Sequence, residues 1–191
     1  MKKIFPYVVM VLTALMLGVG SALWVINAAP GFGPVRNGAW TTSPLIGSAE
    51  AGMYLRAVIA RIALFALNRT ETIYYTAVTD ENGEPLRAEC DYLIEGRDVD
   101  ARWWSITAYG EDHFLIPNAA NRYSYNVKNI ARDEKGGYKI HVSKTPKQGN
   151  WLPSGDRGRL SLTLRAYNPA PSLYENMAEA ELPRIRKVGC P

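Results

Sequence analysis

Gly149-Asn150-Trp151-Leu152-Pro153-Ser154-Gly155-Asp156-Arg157-Gly158-Arg159-Leu160-Ser161-Leu162-Thr163-Leu164-Arg165-Ala166-Tyr167-Asn168-Pro169 is the stretch that decides the fold. Its first half is turn-rich and carries a large aromatic and a proline. Its second half alternates strictly. Leu160, Leu162, Leu164 and Ala166 fall on one face, and Arg159, Ser161, Thr163, Arg165 and Tyr167 on the other, which is the period of a half-buried strand. The run stops at Asn168-Pro169, because proline has no N–H to give to a ladder.

The same period recurs upstream. Thr72–Thr79 is β-branched and aromatic, followed by the turn residues Asp80-Glu81-Asn82-Gly83. Ala88–Glu95 returns with Cys90, Tyr92 and Ile94 on one face. Trp103–Tyr109 has substantial side chains on both faces, which predicts a central strand. Shorter strands are expected near Phe114–Ile116, Tyr123–Val127 and Tyr138–Ser143. Many short strands with regular turns predict a mainly β domain with flanking helices, an antiparallel β-sandwich or jelly-roll-like fold. Two helices are expected beside it. Ser48–Asn68 is apolar apart from Glu50, Arg56, Arg61 and Asn68, and is expected to pack on a sheet, since two mid-span arginines oppose a second membrane crossing. Ser172-Leu173-Tyr174-Glu175 has capping-box spacing for a short one.

The N-terminus has a different character. Lys2 and Lys3 precede a segment with no further charge until Arg36, and residues 8–29 are almost entirely apolar. As a helix those residues span roughly 33 Å, close to the hydrocarbon thickness of about 30 Å. The division is therefore residues 1–29 as a signal anchor in the lipid bilayer, 30–47 as a Gly- and Pro-rich linker leading into the domain, and 48–191 as the exported domain. The paired lysines place the N-terminus in the cytoplasm by the positive-inside rule. The alternative is a signal peptide cut near Gly20-Ser21-Ala22, although Leu23-Trp24-Val25-Ile26 continues the apolar run. Either way the domain leaves the cytoplasm, so Cys90 and Cys190 meet oxidising conditions. A bond between them would contribute about 4–5 kcal/mol by restricting the unfolded chain; the other reading is a buried Cys90 thiol.

Beyond Lys2 and Lys3 the chain carries 20 basic and 18 acidic residues. That near-balance, with no basic stripe among aromatics, argues against nucleic-acid binding. Nucleophile elbows, phosphate loops, dinucleotide fingerprints and zinc-protease motifs do not occur. His113, His141 and the two cysteines are widely spaced, so no metal site is expected. Nothing calls for a cofactor either. The residues that stand out are Trp103, Asn150, Trp151, Arg165 and Tyr167, with Trp104 beside them. Flat aromatic faces next to amide and guanidinium donors suit sugars or carboxylated small molecules. The competing expectation is structural, with the Trp151 loop meeting Arg165 and Tyr167 in a packed corner. Glu71 and Asp91 are the carboxylates a hydrolase would use. The structural role for Glu71 is neutralising Arg56, Arg61 or Arg165.

Three motifs, Trp103-Trp104-Ser105-Ile106-Thr107-x-Tyr109, Asn150-Trp151-Leu152-Pro153 and Leu164-Arg165-Ala166-Tyr167-Asn168-Pro169, closely resemble the family called domain of unknown function 1214. Gly38-Ala39-Trp40 and Tyr54-x-Arg56-Ala57-x-x-Ala60 extend the resemblance to roughly residues 38–186, and imply that Trp40 packs on the fold. The resemblance implies a β-sandwich. It also implies that longer members carry a second uncharacterised domain, 1254, ahead of this one, where this chain has its apolar segment. A separate 1254-like envelope protein is then the expected partner. The resulting expectation is a membrane-tethered binding or assembly module, single-pass in the bacterial inner membrane with its domain in the periplasm. The alternative is a hydrolase or carbohydrate-active enzyme with an aromatic cleft.

Overall fold

The computed structural model describes residues 4–28, 35–62 and 64–190. Lys2 and Lys3, and the start of the expected linker, lie outside them. Helix α1 spans Phe5–Ala28, about 36 Å at 1.5 Å per residue. It is long and apolar enough to cross a membrane, and none of its most apolar stretch is buried against the rest of the chain. Three of its polar side chains donate to its own backbone: Thr13 Oγ1 to Val9 O, Ser21 Oγ to Gly18 O and Asn27 Nδ2 to Leu23 O. A helix that satisfies itself in this way asks little of its surroundings.

The domain is two packed sheets. The larger contains β1 (Val35–Asn37), β2 (Trp40–Thr42), β3 (Thr72–Ala77), β5 (Ala101–Tyr109), β6 (Ser124–Asn126) and β9 (Ser161–Pro169), in the order β1-β2-β3-β9-β5-β6. The smaller contains β4 (Asp91–Gly96), β7 (Tyr138–Ser143), β8 (Asn150–Pro153) and β10 (Arg184–Gly189), in the order β10-β4-β7-β8. The alternating stretch of the sequence is β9, and it lies between β3 and β5.

Register explains why the leucines alternate. Paired residues on neighbouring strands share a face, so the inner face of the large sheet is built in rows. Ile73, Ala166 and Trp104 form one row; Tyr75, Leu164, Ile106 and Tyr125 the next; Ala77, Leu162 and Ala108 a third. All of these side chains are buried. The small sheet answers with Ile185, Ile94 and Ile140 in one row and Tyr92, Val142 and Leu152 in another. Trp104 crosses the gap to stack on Tyr138, with ring centroids 5.0 Å apart.

The sequence expectation of a sandwich holds, with local differences. The pair β7–β8 is parallel, so the small sheet is mixed. A parallel neighbour normally needs a long crossover. Here Ile140 pairs with Asn150, so residues 144–149 need to step back by only about 10 Å at 3.3 Å per residue. Within the stretch expected as linker, residues 35–42 carry β1 and β2, and Trp40 is buried with its indole N–H donating to Pro183 O. No strand forms at Phe114–Ile116, where there is only an isolated bridge between Tyr109 and Leu115.

The apolar helix is much shorter than its composition implies. Helix α2 covers only Met53–Arg61, and it buries no residue against a sheet. Its expected cap, Ser48, accepts from Glu50 N in a local turn, while Gly52 occupies the cap position without a side-chain bond. Arg56 donates back to the carbonyls of Ala51 and Ala49, competing with a longer helix. Residues 47 and 67 meet: Gly47 (φ +72) lies so close against the Leu67 carbonyl that a Cβ would overlap it. Residues 48–66 are therefore a closed excursion from the sandwich. Helix α3 spans Pro171–Glu175 with Pro171 at its start, and Ser172 bonds Asp100 instead of capping it.

Cys90 and Cys190 are joined by a disulfide across 100 positions of sequence. It ties the last residue of the described chain to the strand edge at β4. Replacing both cysteines by alanine is expected to lower unfolding free energy by about 3–5 kcal/mol, with the same loss on adding reductant to wild type. Denaturant titration checks this; identical midpoints would mean the bond does not restrict the unfolded state.

Candidate functional site

The five residues singled out by sequence divide into two groups. Tyr167 pairs with Trp103, and Arg165 pairs with Ser105 on one side and Tyr74 on the other. These residues share the outer face of the large sheet, together with Thr107 and Tyr109. Asn150 and Trp151 are on β8 in the other sheet. Trp151 pairs with His141, so its ring is on the outside of the small sheet. The packed corner expected between the Trp151 loop and Arg165–Tyr167 does not form, because β8 and β9 belong to opposite layers and their outer residues diverge.

Asn150 and Trp151 are occupied internally. The Asn150 amide accepts from Ala131 N at 2.8 Å, and its Nδ2 donates to Ala131 O at 2.8 Å and Lys139 O at 2.9 Å. Trp151 donates its indole N–H to Ser143, and its backbone N–H to the Tyr125 hydroxyl at 2.9 Å. Both residues fix the edge strand β8. Substituting Asn150 with alanine removes three bonds from a buried position, and is expected to destabilise the fold by about 2–4 kcal/mol. Thermal unfolding measures this.

Arg165 is different. It is half-buried at the middle of the outer face of the large sheet, where its neighbours Tyr74, Thr107 and Thr163 are buried. Its guanidinium donates to the Tyr109 hydroxyl at 2.8 Å and, more weakly, to Thr107 Oγ1 at 3.4 Å. Its Cζ lies 5.5 Å from the centre of the Tyr109 ring. Among the described residues, no carboxylate forms an ion pair with it. A guanidinium carries more N–H donors than two hydroxyls can use. Burial raises the pKa of the neighbouring Tyr167 phenol above its ordinary value; Arg165 pulls it back to a lesser extent. Tyr74 closes one side of this face. Its hydroxyl accepts from Leu67 N at 3.0 Å and lies 3.4 Å from Phe65 O.

The carboxylates do not converge on this face. Glu71 is exposed at the start of β3, and its expected arginine partners are engaged elsewhere. Asp91 is in the other sheet, paired with Lys147 at 2.9 Å. No group of three or more metal-ligating side chains occurs among the described residues.

A cavity of about 690 Å³ lies at the end of the small sheet, bordered by Trp40, Glu95, Arg97, Tyr138, Pro183 and Arg184. Its Glu95 carboxylate is held by two cations. Glu95 bonds Lys139 at 2.9 Å and Arg186 at 3.3 Å. Its pKa is lowered, chiefly by the hydrogen bond from Lys139, with burial opposing. Because the folded value is depressed, this carboxylate stabilises the fold fully above the ordinary glutamate value of 4.5, and the contribution disappears as pH falls through the folded value. Glu95→Gln should therefore narrow its stability gap to wild type on acidification below pH 4.5, measured by denaturation at a series of pH values.

The sequence signature of a family described as "Protein of unknown function (DUF1214)" matches residues 71–171, which is just over half of the chain. The chain belongs to the DUF1214 family. The match runs from the start of β3 to the start of α3 and so takes in both halves of the candidate face. No curated protein matches the chain. Among solved structures, it is similar to the VPA0106 protein from Vibrio parahaemolyticus, at 20% identity and a TM-score of 0.61, covering 90% of this chain and 42% of that one. It also resembles a putative uncharacterized protein from Burkholderia cenocepacia, at 15% identity and a TM-score of 0.46, covering 89% and 40%. The first likeness shows that the DUF1214 chain shares its fold with the Vibrio protein. The chain spans less than half of that protein's length.

Proposed function

We propose that this DUF1214 protein is a membrane-tethered, envelope-facing binding module whose outer large-sheet face takes a carboxylate-bearing group. The observation that carries this is Arg165: a half-buried cation, flanked by Tyr109, Tyr167 and Trp103, with no carboxylate partner among the described residues. An arginine fork suits a carboxylate because two parallel N–H groups meet two oxygens. Aromatic neighbours add flat apolar contact and exclude water around it. The tether is α1, with the N-terminus in the cytoplasm and the domain in the periplasm of the bacterial inner membrane. The apolar length of α1 supports the tether, and the disulfide supports an oxidising compartment. The partner supplying the carboxylate is a separate 1254-like envelope protein.

A glycosidase of the usual kind would need two carboxylates on either side of a scissile bond. Glu71 and Asp91 sit in different sheets, and no observation favours that alternative.

Purification of the full chain in mild detergent is expected to recover a 1254-like protein, and Arg165→Met is expected to lose it while retaining the wild-type melting temperature. Trp151→Phe, altered in the opposite sheet, should keep the partner. Wild-type preparations that never contain such a protein would remove the assembly reading. Equal recovery with Arg165→Met would move the site away from this face.

A further inference from the structure

We infer that the excursion at residues 48–67 is a second membrane contact, lying in the bilayer interface beside the end of α1 and setting how the domain sits on the lipid surface. This rests on the reading of α1 as a membrane anchor.

The first observation is exposure without a protein partner. After α1, nine large apolar side chains are exposed among the described residues; four of them, Met53, Tyr54, Phe65 and Leu67, are on the excursion, and Leu45 lies just before it. Phe65 is 94% exposed and Met53 84%. Isolated exposed apolar residues need no explanation, but a concentration of them on one excursion marks a surface that meets something apolar. Helix α2 fully buries no side chain; Leu55, Ala57, Val58 and Ile59 are half-buried, while Met53 and Tyr54 are left exposed.

The second observation is where the excursion is held. Arg61 donates from Nη1 to Asn27 Oδ1 at 2.5 Å and to Ile26 O at 3.2 Å. These acceptors are at the C-terminal end of α1, where the spanning segment leaves the hydrocarbon on the domain side. The cation there also complements the partial negative charge at a helix C-terminus. The excursion is thereby continuous with the lipid-facing surface of α1 itself.

The third observation is charge. Between residues 45 and 70 the charged residues are Glu50, Arg56, Arg61 and Arg69, a net of three positive minus one negative. Basic residues among Tyr, Phe and Met suit an interface with anionic headgroups. Crossing is not required or feasible: the nine residues of α2 reach about 14 Å, roughly half the hydrocarbon thickness. The element lies on the membrane. The ends of the excursion, Gly47 and Leu67, are clamped together, and the strap at 65–67 is bonded to Tyr74. A contact made at Phe65 is therefore transmitted to β3.

The test uses the full chain in vesicles of phosphatidylethanolamine and phosphatidylglycerol, with the photo-cross-linking residue p-benzoylphenylalanine replacing Phe65, Leu15 or Phe114 in turn. Leu15 reports on α1, and Phe114 is an exposed aromatic of the domain outside the excursion. Lipid adducts at 65 and 15, with none above background at 114, are the expected result. An adduct at 15 without one at 65 overturns the inference and leaves the anchor standing. An adduct at 65 without one at 15 overturns the anchor, and with it the reading of the excursion as a second contact beside it. Absence at both positions overturns both. A cross-linked dimer in place of a lipid adduct at 65 would assign the surface to a second copy of the chain, and overturn the inference.

Discussion

The pairing of β5 with β9 is the constraint on which the rest of the structure depends. It extends from Ala101 opposite Pro169 to Tyr109 opposite Ser161, and both strands use both faces. On the inside, Leu162, Leu164 and Ala166 meet Ala108, Ile106 and Trp104. Small residues are placed opposite large ones, so Trp104 has room to reach Tyr138 in the other sheet. A slip of one residue would turn every leucine to the outside and every hydroxyl inward. The register that builds the core therefore also presents Arg165 beside Ser105 and Tyr167 beside Trp103 on the opposite face. Core and candidate site are two consequences of one ladder.

The sheet edges are managed by different means. The large sheet ends in β1 and β6, each of three residues, too short to template another chain. In the small sheet, β8 carries Pro153 at its end and has its Asn150 amide committed to Ala131 and Lys139. The other edge, β10, presents Arg184, Arg186 and Lys187, and positive charge along an edge discourages strand addition. Its Lys187 is paired with Glu84, and Arg186 with Glu95. The disulfide then holds the end of β10 in place. This explains why the two cysteines can be so distant in sequence: one is at the entrance to β4 and the other just past its neighbouring strand.

Much of this was legible in the sequence, for a physical reason. Period-two alternation is a local property, so β3, β4, β5, β7 and β9 announce themselves, and with them the inward placement of Cys90, Tyr92 and Ile94. Features that depend on pairing partners are not written locally. The motif Asn150-Trp151-Leu152-Pro153 is close to Arg165 in sequence, but strand order places β8 and β9 in opposite sheets, and no local pattern encodes strand order. The apolar run from residue 48 to 68 forms only the short helix α2, for a related reason. Composition reports apolarity but not what covers it, and here Gly47 against Leu67 and Arg56 against its preceding carbonyls end the helix early. Arg165 was visible as a candidate. Its isolation from carboxylates was not, because that depends on where Glu71 and Asp91 end up in three dimensions.

The failure of the long helix is also what connects the two unusual surfaces of the molecule. A continuous helix packed on the outer face of the large sheet would have covered Arg165 and consumed the apolar side chains of residues 53–67. Instead the chain turns back at Gly47 and Leu67, and the strap is bonded to the sheet through Tyr74. Tyr74 is paired with Arg165 across the ladder. One phenol therefore fixes the distance between the exposed apolar excursion and the unpaired guanidinium. The excursion is bonded to the end of α1 through Arg61, so the same covalent and hydrogen-bonded path runs from the apolar helix, through α2 and the strap, to β3 and the candidate face. Arg61 at one end of this path and Tyr74 at the other join the end of α1 to the candidate face.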